Sequence, residues 1–391
     1  MGMLTALAAR PAGAGPWSIE PRLGLESDYA SNPLLHDTDV EAQERVAALF
    51  DLPLRYDTDD LEFMLRPSGR ISDRQGYSSL ASSYEHLDAS VQYSDAINTA
   101  AVQGEVARDS SLYYFGGLFN RIGVARDTAA TSADWTRSIN ERSLLELDAS
   151  WSRVRYDEPA GFNALVDYRY WSVGPVLSVT MSERDTLKLQ GNYAGYDSLD
   201  GITASKTESL QLGFTRELTE IWMLSASAGY SRSTNSEKIY FFGTIFLGTA
   251  TSDQDSGVYS ASLTRKGEKF NLTASVSRAL QPTGFAFLSR QDSVSLSGSY
   301  IRSERWDFAL NAGWQKALSP QPTTGGAALS ARNINVRYLN TQLIANWHWT
   351  EQWTLSTSVQ KISQQFGPPT VSAASTNVSV NIVRQFLRTQ F

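Results

Sequence analysis

One short signal recurs along this chain: a Ser, Thr, Gly or Asn followed by Glu, then a run in which every second residue is apolar. It reads SINERSLLEL around Glu141, TMSERDTLKL around Glu183, ELTEIWMLSA around Glu220, RKGEKFNLTA around Glu268, IRSERWDFAL around Glu304 and HWTEQWTLST around Glu351. Six copies at intervals of roughly forty residues mark a repeated supersecondary unit. A looser version, DTDDLEFML, stands near Asp60.

The runs have period two and almost never period 3.6. Val46, Ala48, Phe50, Leu52, Leu54 and Tyr56 alternate with residues such as Asp51 and Arg55; Leu187, Leu189, Gly191 and Tyr193 alternate with Lys188, Gln190 and Asn192. Trp222 to Tyr230, Trp306 to Trp314 and Trp353 to Val359 behave alike. Each run is a strand with one apolar and one polar face, and a soluble antiparallel sandwich would show the same pattern.

Connection lengths separate the two. The Glu-containing connections span two to five residues, whereas 110–128, 234–254 and 317–331 read as long loops rich in Gly, Ser, Thr and Asn. Short turns on one side and long loops on the other are the pattern of a bacterial outer-membrane barrel. Eight residues separate Trp306 from Trp314 and Trp222 from Tyr230. At ~3.4 Å per residue and ~40° of tilt that is about 21 Å of height, close to the apolar band between two aromatic girdles. The expected fold is therefore all-β: one transmembrane antiparallel up-and-down barrel over residues 17–391, with about eighteen strands and sixteen as the alternative. Segment 129–140 is weakly apolar and enters by parity, because the strand after Glu141 must run outward and something must first return. Ser303, Glu304 and Arg305 become a periplasmic turn, both termini lie on that side, and closure follows because hydrocarbon leaves no partner for an open sheet edge.

Composition narrows the function. The net charge of −7 offers no basic face, so nucleic acid is not expected as a partner. The absence of cysteine excludes disulfides, Cys-based zinc sites and thiol catalysis. No run of eighteen apolar residues exists, so no transmembrane helix is expected. Residues 1–16 read as a signal remnant or a disordered tail. His36, His86 and His348 are far apart, and HExxH, GxSxG, P-loop and dinucleotide fingerprints are missing. Neither an enzyme nor a cofactor is expected. His348, between Trp347 and Trp349, reads as an inward hydrogen-bonder that could at most activate a hydroxyl.

Parity names the residues that line the lumen: Asn340, Gln342, Asn346 and His348; Thr354, Ser356, Ser358 and Gln360; Lys188, Gln190 and Asn192. Neutral hydrogen-bonding groups suit hydroxyl-rich solutes, although any water-filled barrel is polar inside. A second group mixes signs: Arg45, Asp51, Arg55, Glu62, Arg66 and Arg70. These could brace the wall or create a transverse field. Trp222, Tyr230, Phe270, Trp306, Trp314, Trp347, Trp349 and Trp353 form the expected girdles, in contact with outer-membrane lipid and lipopolysaccharide. Two connections are unusually apolar: Tyr113, Tyr114, Phe115 and Phe119 in one, Tyr240, Phe241, Phe242, Ile245 and Phe246 in the other. They could gate the mouth, stack sugar rings, touch a partner or simply be a hairpin continuing past the membrane. The last strand offers Phe386 or the terminal Phe391 to the barrel-insertion machinery.

ESDYASNPLL after the first strand, EVARDSS closing the fifth, and the recurrent SER-type turns resemble the exosortase-associated outer-membrane barrels encoded with exopolysaccharide clusters. The resemblance covers most of residues 17–391. It implies a role in carrying or anchoring secreted polysaccharide, with the polymer or a periplasmic export component as partner. A general small-solute porin and a structural barrel with an occluded lumen remain the other expectations.

Overall fold

The computed structural model describes residues 17–33, 35, 40–72, 83–110, 125–157, 166–241, 245–282, 288–318, 335–366 and 371–391. Eighteen antiparallel strands form one closed sheet, and three of them are interrupted once. They are β1 (Trp17–Ile19 continuing as Arg22–Ala30), β2 (Gln43–Asp51 and Leu54–Asp57), β3 (Leu61–Ser72), β4 (Tyr84–Ser94), β5 (Asn98–Ser110) and β6 (Ala125–Asn140). Next come β7 (Ser143–Tyr156), β8 (Tyr168–Thr180), β9 (Asp185–Ser198), β10 (Thr203–Glu217), β11 (Trp222–Phe241) and β12 (Ile245–Arg265). The barrel ends with β13 (Phe270–Pro282), β14 (Leu288–Ser303), β15 (Trp306–Leu318), β16 (Asn335–His348), β17 (Trp353–Phe366) and β18 (Val371–Gln385, then Thr389–Gln390). Each strand pairs with its chain neighbours, and β1 closes the ring on β18 through pairs such as Leu25↔Ile382 and Ser18↔Gln390.

The alternation sorts the two faces. Leu25 (59% exposed), Leu210 (60%) and Leu343 (57%) point outward, while the residues one step away turn inward. The register keeps the faces consistent from strand to strand: Asn340 lies opposite Gly313 and Ile362, and Leu343 opposite Leu310 and Val359. An apolar exterior over a polar interior is the inverse of a soluble sandwich and fits a lipid surround.

The repeated turn signal has a local cause. Ser182 accepts the Asp185 N–H at 3.1 Å, Thr219 that of Trp222 at 3.1 Å, and Thr350 that of Trp353 at 3.1 Å. Asn140 accepts the Arg142 N–H at 2.9 Å. The hydroxyl or amide before these Glu residues thus folds the turn by bonding the backbone two or three residues on, while at Glu268 the preceding Gly267 N–H instead donates to Asn271 at 3.2 Å; the Glu itself is left in water. The β4–β5 turn does the same with Asp95, whose carboxyl is held below the usual range by the N–H groups of Ile97 and Asn98.

Segment 129–140, inferred from parity, lies within β6, which pairs fully with β5 and β7. The long loop expected over 234–254 is corrected: β11 runs to Phe241 and β12 begins at Ile245, so most of it is ladder. Beyond the membrane both faces of a hairpin meet water, so the apolar period vanishes while pairing persists. Arg232 and Thr234 hold Asp253 at 2.7 and 2.8 Å there. Residues 1–16 lie outside the described residues.

In barrels of this class the short turns face the periplasm. Cysteine placed at Ile245 should therefore react with a membrane-impermeant maleimide on intact cells, and cysteine at Glu268 only after permeabilisation. The native chain has no cysteine, so any signal belongs to the introduced thiol.

Candidate transport lumen

Charge on β1–β3 is arranged in the plane of the wall. Arg45 donates to Asp28 at 2.9 and 2.5 Å, and Arg70 reaches the same carboxylate at 2.5 Å and Glu26 at 3.4 Å. Arg70 and Asp28 keep only 3% and 7% of their side-chain exposure. Lower down, Arg66 grips Asp51 with two bonds of 2.7 and 2.9 Å. Burial of such ions is tolerable only with this degree of pairing, so the geometry is that of bracing. Arg55 and Glu62 share the inward face, opposite Met64 and Asp57, and are exposed.

The neighbouring sector is acidic and escaped the sequence reading. Asp88 lies directly opposite Glu105, and Asp134 opposite Asp148, with Glu146 two positions on. Like charges facing across a ladder repel. Asp134 and Asp148 are exposed to the lumen, where water screens them. A recess of about 480 Å³ opens here between Arg66, Asp88, Gln103, Glu105, Ser132 and Ser152.

The rest of the wall is nearly neutral. Gln360 donates to Asn340 at 3.0 Å and accepts from Asn377 at 3.2 Å, and Ser358 meets Ser379 at 2.8 Å. Gln342 faces Gln360 and Asn311, and Ser356 faces Asn346 and Asn381. Lys188, Gln190 and Asn192 share a face with Gly213, Gln211 and Ser209. Between these groups runs a serine wall that sequence reasoning missed: Ser227 to Ser260 at 2.8 Å, Ser275 to Ser295 at 2.6 Å, Ser277 to Ser293 at 2.7 Å. Its only trace in the sequence is Ser on alternate positions, as in VSLSGS.

His348 sits at the short-turn end. Its Nε2 meets Asp307 at 2.6 Å and its Nδ1 the Thr354 hydroxyl at 3.1 Å, while Asn346 donates to the other Asp307 oxygen at 2.7 Å. The connectivity is that of a carboxylate–imidazole–hydroxyl relay. The cluster ties β15, β16 and β17 together.

Burial of the inward face changes along the strands. On β14, Ser289 and Gln291 are buried, Ser293 is half-buried, and Ser295 and Ser297 are exposed. On β6 and β7 the same gradient runs from Arg126 and Val154 to Asp134 and Asp148. Around the ring, Ala30, Ala107, Tyr196, Thr207, Ser231, Ser233, Ala317, Gln364 and Ser375 are buried, all toward the long-connection end. There Tyr168 and Tyr196 stack at 5.2 Å, in one cluster with Val154 and with Leu288 of β14. β8 departs from the gradient, since Val176 and Ser178 are buried lower down. Inward side chains are thus on the whole more buried toward the long-connection end than toward the short turns, with Ser18 a further exception.

The outward aromatic groups fall in two bands. Trp306 and Trp347 stack at 6.0 Å, and Trp347 and Trp349 at 6.1 Å, near the short turns. Trp222, Phe270 and Trp353 begin their strands at that end, while Tyr230 and Trp314 lie eight residues up their strands from Trp222 and Trp306. Of the gate candidates, Tyr113, Tyr114, Phe115, Phe119 and Phe242 lie outside the described residues; Phe241 ends β11, and Phe246, paired with Tyr240, is exposed.

No family model and no curated protein matches the chain. Solved structures do match. The ferric citrate transporter FecA in its unliganded form superposes with a TM-score of 0.50 at 9% identity, over 96% of this chain and 79% of that one. OccAB4 of Acinetobacter baumannii gives 0.49 at 11%, over 96% and 100%, and the FrpB iron transporter of Neisseria meningitidis 0.47 at 9%, over 98% and 83%. At such identity the FecA match speaks for fold alone. This chain is an integral outer-membrane β-barrel. Its short-turn end is periplasmic, and the end where inward side chains are most buried faces the cell exterior.

Replacing Arg70 with Ala strands Asp28 beside a single remaining partner. The barrel should lose about 3 kcal/mol, the cost of breaking a buried ion pair, read as a lower urea midpoint in lipid vesicles. Arg55→Ala should leave that midpoint unchanged.

Proposed function

We propose that the barrel passes hydroxyl-rich solutes, saccharide chains foremost, from the periplasm outward. The observation that supports this most is the burial gradient: inward side chains are more exposed toward the periplasm and more buried toward the exterior. A general porin has no need of that asymmetry. Resemblance to exosortase-associated barrels adds the finer reading, a secreted polysaccharide as cargo.

The wall chemistry fits such a cargo. Ser, Asn and Gln groups already satisfy one another, so each exchange for a sugar hydroxyl nets only about 1 kcal/mol and a chain slides rather than sticks. Two buried acceptors of the upper lumen, Gln291 Oε1 and Gln364 Oε1, have no partner among the described residues. The acidic sector disfavours polyanions, which makes a neutral polymer the better cargo.

A second reading, a cation-preferring channel for small solutes, draws on the same carboxylates, Asp88, Glu105, Asp134, Glu146 and Asp148. Planar-bilayer recording of the refolded protein separates the two. Under the export reading, neutral oligosaccharides should reduce the current when added at the periplasmic face and far less from the other. Equal block from both faces with steady open conductance would favour the porin. A barrel silent under every condition would leave a structural role.

A further inference from the structure

We infer that Tyr168, Tyr196, Ser289 and Gln291 form a seat in the upper lumen for one hexopyranose unit of a neutral saccharide. The inference deepens the export reading, on which it rests for the identity of the cargo. Its first support is a contact across the ring. Tyr168 of β8 and Tyr196 of β9 stand on the inward face, opposite Val154 and Ser205, and stack with 5.2 Å between ring centroids. Tyr156 and Tyr170 pack against their cluster. Leu288 belongs to the same cluster although it opens β14, which pairs with β13 and β15 and stands six strands round the ring from β8. The contact therefore spans the interior rather than following the wall.

The second support is a pair of open bonding positions. Ser289 follows Leu288 directly, and Gln291 comes next on the same inward face. Both are buried, at 3% and 9% exposure, and Ser289 Oγ and Gln291 Oε1 have no partner among the described residues. A shielded polar atom without a partner is costly, and it marks a place where a ligand completes the bonding. The neighbouring wall is different in kind: Ser205 donates to Asn235 at 2.6 Å and Thr207 to Ser233 at 3.3 Å, so those hydroxyls are already engaged. Gln291 Oε1 accepts and cannot donate, so its ligand must bring an O–H or N–H, which an anionic oxygen does not. A pyranose ring carries both surfaces the seat calls for, an apolar C–H face for the aromatic rings and a rim of hydroxyls for the open atoms. Leu288 and Ser289 pair with β13 alone, because β15 joins only at Arg290. This end of β14 is the least held part of the cluster, and Leu288 occupies the apolar place that the sugar ring takes. Lower on the wall a chain slides; here one unit is held.

Calorimetric titration of the refolded barrel in detergent, with maltohexaose, mannohexaose and laminarihexaose as probes, tests the seat without requiring transport. At least one of them should bind the wild-type chain. Tyr168→Leu combined with Tyr196→Leu keeps the apolar bulk, removes the rings and should weaken binding about tenfold. Ser289→Ala combined with Gln291→Leu should weaken it about fivefold. Leu288→Ala should tighten it roughly threefold, because the sugar then displaces less apolar contact. A merely structural role for the cluster would not move these variants in opposite directions. Tyr230→Leu, on the lipid-facing side, should bind as the wild type does. Faster gel migration of unheated samples would show that each variant folds. Failure of the wild type to bind any of the three probes overturns the seat, as does wild-type affinity in both the tyrosine and the Ser289/Gln291 variants. Equal binding of hexaethylene glycol, which has no ring and hydroxyls only at its ends, overturns the saccharide as ligand. Calorimetric binding without sided block of the current would sink the export reading and leave the seat; sided block without calorimetric binding would do the reverse.

Discussion

Hydrocarbon offers a backbone nothing to bond to. Every N–H and C=O within the membrane must find a partner in the chain, and a strand can do this only with a neighbour on each side. The pairing of β1 with β18 is therefore the condition for all the rest, because without it two edges would lie bare in lipid. Closure also fixes the chemistry of the side chains. A strand has two faces, one belongs to lipid, and the remaining half of every strand must line an interior.

That interior has to satisfy itself. Polar groups removed from bulk water are costly when unpaired, and the lumen answers with cross-strand ladders: serine to serine, Gln360 between Asn340 and Asn377, Asp28 between two arginines. The investment is uneven. Charge is paired and buried toward the exterior on β1–β3, and left unpaired but hydrated toward the periplasm on β6 and β7. The same rule explains both, since a buried ion needs a counter-ion and a hydrated one does not.

Much of this was legible from residues alone. The strand over 143–156 and the turn at Ser182–Glu183 stand where alternation and turn chemistry put them, because both are local. β6 was found by parity alone, a global constraint that outweighs its weak apolar content. What sequence missed was non-local or outside the membrane. The 234–254 hairpin lost its apolar period where water reaches both faces. The pair Asp134 and Asp148 depends on the register of β6 against β7, and no pattern within either strand announces it. Asp307 was hidden in the same way, since its link to His348 crosses from β15 to β16. Serine is too common for its wall to stand out until the ladder lines the residues up.

On β5–β8 the mid-wall carboxylates and the arginines near the rim stand on opposite faces. Carboxylates at Glu105, Asp134 and Asp148 look into the lumen at mid-wall or below, while Arg153, Arg155 and Arg169 look outward near the rim. One strand achieves both because the pleat sends neighbours to opposite sides, so β7 holds Asp148 inside and Arg153 outside five residues later. The acids sit where only lumen water can hydrate them, and the arginines where only headgroups and external water can. Neither set could be exchanged for the other. A guanidinium at the mid-wall lipid face would cost several kcal/mol. A carboxylate buried in the upper lumen would need the kind of partner that Arg126 gives Asp109, two bonds of 2.7 Å. Charge placement in this barrel follows the two solvents it separates, and the lumen is acidic where it is wet because only there can unpaired carboxylates stand.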